Sequence, residues 1–144
     1  MKIWIDRILI FALVVVLAVL TATALPVLFG GHLGGMWLLA HMIASGALVF
    51  GLPVVALIWM WPNLSSHTSG AIQRLGFWSL ITTGLLTIAT VGACMLPFPS
   101  TETMHQLIQW HGYAGFAMVP ALAVLLWGIA RWRRIQSTRS VTPG

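Results

Sequence analysis

The chain has 144 residues, of which 59% are hydrophobic and 6% are charged, and its formal net charge is +5. A soluble domain carries about 25% charged residues, so this composition excludes a soluble globular protein and indicates an integral membrane protein. The basic residues flank hydrophobic runs, which argues against a phosphate-binding face for nucleic acid. They are Lys2, Arg7, Arg74, Arg131, Arg133, Arg134 and Arg139.

Four hydrophobic runs predict transmembrane helices, since about 20 apolar residues are needed to cross about 30 Å of hydrocarbon. In chain order they are 8–29, 36–61, 75–97 and 107–132. The first run starts like a signal peptide, but it stays apolar through Phe29, so we expect a retained span. The prediction is an all-α, four-helix membrane bundle in one domain (1–134), with a disordered cytoplasmic tail (135–144).

The distribution of Lys and Arg predicts the orientation of the bundle. The loops at 30–35 and 98–106 contain neither residue, whereas both ends of the chain and the middle loop are basic. Basic loops stay on the cytoplasmic side. Both termini are therefore expected in the cytoplasm, and the two uncharged loops are expected in the periplasm of a bacterial inner membrane.

Two histidines lie near the starts of the second and fourth runs, which enter from the same side. His41 follows Met36 by five residues and His111 follows Leu107 by four, which predicts a common depth of about 6–8 Å below the interface. An ionisable residue inside a membrane helix indicates a functional site. Two neutral imidazoles at one depth suit the two axial ligands of a haem b. The chain has no Cys-x-x-Cys-His motif, so any haem would be bound non-covalently.

Small residues near both histidines support the same hypothesis. Gly46 follows His41, and Gly112 and Gly115 follow His111; glycines would let a flat porphyrin approach the helix backbone. Ser45 is a candidate hydrogen-bonding partner for a ring or a propionate.

The two halves of the chain also resemble each other. Each has a Leu-Thr-containing stretch and a proline, then a polar or glycine-rich turn, a histidine and a glycine. Pro26 precedes His41 by 15 residues and Pro97 precedes His111 by 14. This spacing predicts two similar helix pairs with a shared site at their interface.

Other readings of the polar residues stay open. His105 is an alternative ligand to His111, or part of a quinone or propionate site. A haem-free protein is a second possibility, either a scaffold subunit or a copper-handling permease subunit, since His and Met ligate copper. The copper candidates are His32, Met36, His41, Met42, Met95, Met104 and His105.

The sequence resembles the four-helix b-type cytochromes that anchor periplasmic redox enzymes. These include the cytochrome b subunits of formate dehydrogenases and nickel–iron hydrogenases, and related small membrane cytochromes b. The matching stretches are Leu39-Ala40-His41, Thr83-Gly84-Leu85, and the segment from Met104-His105 to His111-Gly112-Tyr113-Ala114-Gly115.

Many such proteins hold two haems, with a second histidine further along each ligand helix. The corresponding positions here are Val54 and Val55, and Val124 and Leu125. The resemblance therefore implies one haem b on the periplasmic side, in an electron-transfer subunit of a respiratory or photosynthetic complex. Such a subunit would exchange electrons between menaquinol or ubiquinol and a periplasmic c-type cytochrome or iron–sulfur protein.

Overall fold

The computed structural model describes residues 2–31, 34–64, 69–97 and 100–139. Four α-helices are present in these residues, with no strand. They are α1 (Lys2–Leu28), α2 (Gly35–Leu64), α3 (Ala71–Cys94) and α4 (Thr101–Arg139). Each helix contains a stretch that is long and apolar enough to cross a membrane. The predicted all-α class with four such helices is confirmed, and it indicates a multi-pass membrane protein.

All four helices begin before the hydrophobic runs that predicted them, and α4 differs most from its run. This helix begins at Thr101 instead of 107 and continues to Arg139 instead of 132. Its 39 residues span about 58 Å at about 1.5 Å per residue, roughly twice the hydrocarbon thickness. Residues 135–139 are therefore helical and not part of a disordered tail, and 140–144 lie outside the described residues.

A side-chain cap explains the early start of α4. The Thr103 backbone N–H donates to Ser100 Oγ at 3.2 Å, and the Met104 N–H donates to the Ser100 carbonyl at 2.9 Å. Serine is among the best residues for this position, because its oxygen satisfies an amide that has no partner within the helix. Glu102 in the first turn adds a favourable interaction with the helix dipole. The polar segment expected to be a loop is thus the first part of α4.

The end of α1 is closed by backbone hydrogen bonds around a glycine. The Gly31 N–H donates to the Pro26 carbonyl at 2.9 Å and the Gly30 N–H donates to the Val27 carbonyl at 3.2 Å. Gly30 has φ of 78°, the left-handed conformation that this type of helix end requires. Pro26 lies inside α1, whereas Pro97 follows the end of α3, so these two prolines are not structurally equivalent.

The chain forms two compact units, residues 1–56 and 57–144, with the boundary inside α2. The first unit contains α1 and most of α2. The second contains the end of α2 together with α3 and α4, which are antiparallel neighbours.

Two glycines bring the backbones of α3 and α4 together. A Cβ atom at Gly76 would overlap the backbone of Leu125, and one at Gly128 would lie 2.5 Å from the Cα of Gln73. Small residues at such crossings are the main device for close helix packing in membranes, where van der Waals contact replaces the hydrophobic effect. The buried side chains of this unit include Phe77, Leu80, Ile81, Met118, Ala121, Leu122 and Leu125.

Candidate functional site

In the first unit, His41 on α2 is hydrogen-bonded to a buried threonine on α1. The Nδ1 atom of His41 lies 2.8 Å from Thr23 Oγ1, and Thr23 is 3% exposed. The Thr23 hydroxyl also lies 2.8 Å from the carbonyl oxygen of Val19, on its own helix, and 3.0 Å from that of Leu20. A hydroxyl has one hydrogen and two lone pairs. The Thr23 hydroxyl can donate to its own helix and accept from a His41 Nδ1–H, or it can donate to an unprotonated Nδ1.

In the second unit, His111 on α4 makes the corresponding contact with α3. Its Nδ1 atom lies 3.0 Å from the carbonyl oxygen of Thr87 and 3.4 Å from Thr90 Oγ1. A carbonyl oxygen only accepts, so Nδ1 must carry the hydrogen. The Thr90 hydroxyl donates to the Leu86 carbonyl at 2.9 Å, as Thr23 does to its own helix.

Both rings are therefore held through Nδ1 by an oxygen atom of the preceding helix. In a neutral ring with its hydrogen on Nδ1, the lone pair is on Nε2. Histidines that ligate metals are commonly oriented in this way, with the other ring nitrogen donating to a carbonyl or another acceptor. One histidine held through Nδ1 lies in each unit.

The two histidines do not lie at equal distances from the starts of their helices. His41 is six residues from the start of α2 and His111 is ten from the start of α4, so the equal spacing from helix starts is wrong. The cause is the capped extension of α4. Their threonine partners give a better reference, because Thr23 is five residues before the end of α1 and Thr90 is four before the end of α3. Counted from the ends of α1 and α3, each histidine therefore contacts the last turns of the preceding helix.

The three glycines predicted near the histidines have no packing role within the described residues. A Cβ atom at Gly46, Gly112 or Gly115 would meet nothing within 4 Å. Gly76 and Gly128 are the opposite case, since their neighbours leave no room for a methyl group. Ser45 is part-buried, and no contact with either histidine is observed among the described residues.

His105, the alternative ligand, lies on the exposed surface of α4. Its Nδ1 atom lies 2.9 Å from the carbonyl oxygen of Thr101, one turn earlier in the same helix, so this ring contacts its own helix and not α3. His105 is six residues from His111, about 240° around the helix. His32 lies outside the described residues. Of the copper candidates, Met36, Met42 and Met95 are exposed by 78%, 62% and 79%.

Sequence reasoning missed the threonines that orient the two rings. Thr23, Thr87 and Thr90 were part of the repeated Leu-Thr stretches, and the signal was a polar side chain at the end of an apolar helix in both halves. Which histidine ring a threonine contacts depends on how the neighbouring helices are rotated toward each other. The spacing of residues in the sequence does not determine this rotation.

The described residues contain no group of three or more His, Cys, Asp or Glu that could hold a metal ion. A haem iron takes four ligands from the porphyrin and only two from the protein, so a pair of single histidines is a different kind of site. Comparison with protein-family models, with curated proteins and with solved structures found no match.

Proposed function

We propose that the protein is a haem b-containing membrane subunit of a respiratory or photosynthetic redox complex. His41 and His111 are the axial ligands of one haem, and the subunit carries electrons between the quinone pool and a periplasmic partner, a c-type cytochrome or an iron–sulfur protein. The observation that carries this proposal is that each histidine contacts an oxygen atom of the preceding helix through Nδ1, the ring nitrogen that would not bind iron.

The surroundings of the histidines fit a porphyrin. The open positions at Gly46, Gly112 and Gly115 leave room for a flat ring against α2 and α4. The apolar faces of the helices suit the edge of a porphyrin. Thr23 and Thr90 are buried and lie near Nδ1 of the two imidazole rings. Two histidines of this kind could hold the iron of a b haem.

The residues of the chain contribute position and tuning. When bound, haem b supplies a reversible one-electron Fe(III)/Fe(II) couple. Thr23 and the Thr87 carbonyl would hold the orientation of the two rings through Nδ1. Accepting the Nδ1–H hydrogen bond also makes each Nε2 a stronger electron donor, which favours the ferric state.

The position of the basic residues supports a bacterial inner-membrane subunit with both termini in the cytoplasm. In this orientation the turns that follow α1 and α3 are periplasmic, and the histidines are on that side. The valines and leucine at the deeper positions of α2 and α4 provide no second ligand pair. We infer exchange of electrons at the periplasmic face, with no transfer across the membrane by this chain.

Haem retention in histidine variants tests the proposal. The protein is purified from cells supplied with haem precursor, and the dithionite-reduced spectrum is recorded. We expect a b-type α band in the wild type. The haem-to-protein ratio should fall by at least about tenfold in His41→Ala and in His111→Ala, because each loses an iron ligand.

His105→Ala is the matched control, because this histidine bonds to its own helix and should leave the haem content unchanged. Loss of haem in His105→Ala with retention in His111→Ala would assign the ligand to His105. Wild-type protein with no α band and with stoichiometric copper by elemental analysis would contradict the haem proposal in favour of a copper-handling subunit.

A further inference from the structure

At the other end of α3 the structure has an open cavity of about 320 Å³. It lies within the second unit, between the end of α2 and the first turns of α3. Its lining consists of Asn63, Leu64, Ala71, Arg74, Leu75 and Trp78. None of these residues takes part in the histidine sites.

The polar groups on the cavity wall are hydrogen-bond donors. Arg74 is part-buried, and its guanidinium makes no ion pair or side-chain hydrogen bond with the described residues. Asn63 is 3% exposed. Its Nδ2 donates one hydrogen to the Trp59 carbonyl at 2.9 Å, and its Oδ1 accepts from Gln73 Nε2 at 3.4 Å. The second Nδ2 hydrogen has no acceptor among the described residues, so Asn63 and Arg74 both have hydrogens to donate to a ligand in the cavity.

The charge of the cavity favours an anion over a neutral acceptor such as a quinone. The whole chain has only two acidic residues, Asp6 and Glu102, and neither is among the residues that line the cavity. A guanidinium at the edge of a membrane gains most from a bound counter-ion with several oxygens, as in a phosphate.

The other walls of the cavity suit a lipid. Leu64, Leu75 and Trp78 are exposed by 52%, 64% and 42%, so apolar surface continues from the cavity to the outside of the helices. Arg74 is three residues from the start of α3, whose 24 residues slightly exceed the hydrocarbon thickness. This places Arg74 at headgroup depth, with Trp78 one turn deeper.

We propose that this cavity binds the phosphate of an anionic phospholipid, with Arg74 and Asn63 as donors and with an acyl chain along Leu75 and Trp78. Basic pockets between membrane helices commonly take such headgroups. The site would anchor the end of α3 at one leaflet. It is independent of the haem and of its ligands.

Lipid binding measured by native mass spectrometry tests the site. The detergent-solubilised protein is titrated with phosphatidylglycerol and with phosphatidylcholine of the same acyl chains. The anionic lipid should bind more tightly, and Arg74→Gln should weaken its binding about fivefold, the effect of one arginine near a membrane surface. Arg131→Gln, which removes an exposed arginine outside the cavity, should change binding less than about twofold.

A second pair of variants keeps Arg74 in place. Leu75→Glu puts a carboxylate beside the guanidinium and should abolish the preference for phosphatidylglycerol, whereas Leu75→Gln should retain it. Equal affinity of the wild type for both lipids would overturn the proposal, and so would unchanged binding in Leu75→Glu. Displacement of the lipid by millimolar inorganic phosphate would also overturn it, because the site would then take free phosphate from water.

Discussion

Oxygen atoms of two threonines, the Thr23 hydroxyl and the Thr87 carbonyl, orient the two histidines. A serine or threonine inside an apolar helix usually satisfies its hydroxyl hydrogen on the carbonyl one turn earlier, and Thr23 and Thr90 both do so. A hydroxyl that donates in this way can accept from the Nδ1–H of a neighbouring imidazole.

Replacing Thr23 by valine tests this role with almost no change in shape. Thr23→Val removes the 2.8 Å contact with His41, so the Nε2 atom becomes a weaker donor and the ferric state is less stabilised. We expect a higher midpoint potential in a redox titration and haem binding weakened by about tenfold. The effect of Thr90→Val should be smaller, because His111 keeps the Thr87 carbonyl at 3.0 Å.

Thr21→Val is the control on the same helix, since Thr21 bonds to the Leu17 carbonyl at 2.7 Å and has no observed contact with His41. A shift of the same size in Thr21→Val and Thr23→Val would mean that the hydroxyl acts through α1 packing and not through the ring.

At this scale the sequence identified the histidines but not their partners. An ionisable residue in an apolar run stands out by itself, and the resemblance drew attention to the same two positions. A threonine does not stand out, because it bonds to its own helix wherever it occurs. Thr21 and Thr23 are two letters apart, and only the orientation of α1 decides which of them faces His41.

Glycines divide α3 and α4 into a closely packed part and an open part. Gly76 and Gly128 allow backbone contact between the two helices, whereas Gly112 and Gly115 face open space. The sequence analysis assigned a role only to the second pair. Close packing at the first pair depends on which residues lie opposite each other, and that register cannot be read from one helix alone.

Alanine at Gly76 should destabilise the second unit. The new methyl group would overlap the backbone of Leu125, and overpacking of this kind costs about 1–3 kcal/mol. The free energy of unfolding in detergent should fall by that amount in Gly76→Ala. Gly92→Ala, on the same helix with nothing within 4 Å of the new atom, should cause no decrease. Equal stability of the two variants would show that α3 and α4 are not in close contact at Gly76.

Helix number could be predicted at this scale, but helix ends could not. Hydropathy detects the part of a helix that lies in hydrocarbon, and it found all four. It does not detect the Ser100 cap that starts α4 in a polar segment, nor the continuation of α4 through Arg131 and Arg133.

In the whole molecule, each of two compact units carries one histidine with an acceptor on the preceding helix. The sequence repeat was proposed from prolines, glycines and histidines, and the prolines proved not to be equivalent. The Thr–His contact is the stronger argument for a duplicated helix pair, because in both units a histidine Nδ1 lies near a threonine oxygen of the preceding helix, the Thr23 hydroxyl or the Thr87 carbonyl. We propose that this pair holds a single haem, since Val54, Val55, Val124 and Leu125 offer no ligands for a second one.

Electron paramagnetic resonance of the oxidised, haem-loaded protein tests this assignment most directly, because the spectrum reports the axial ligands and the number of ferric species together. We expect one low-spin species with two imidazole ligands, integrating to one spin per chain. A predominantly high-spin signal would contradict ligation by both His41 and His111. Two low-spin species of equal intensity would contradict the single-haem site.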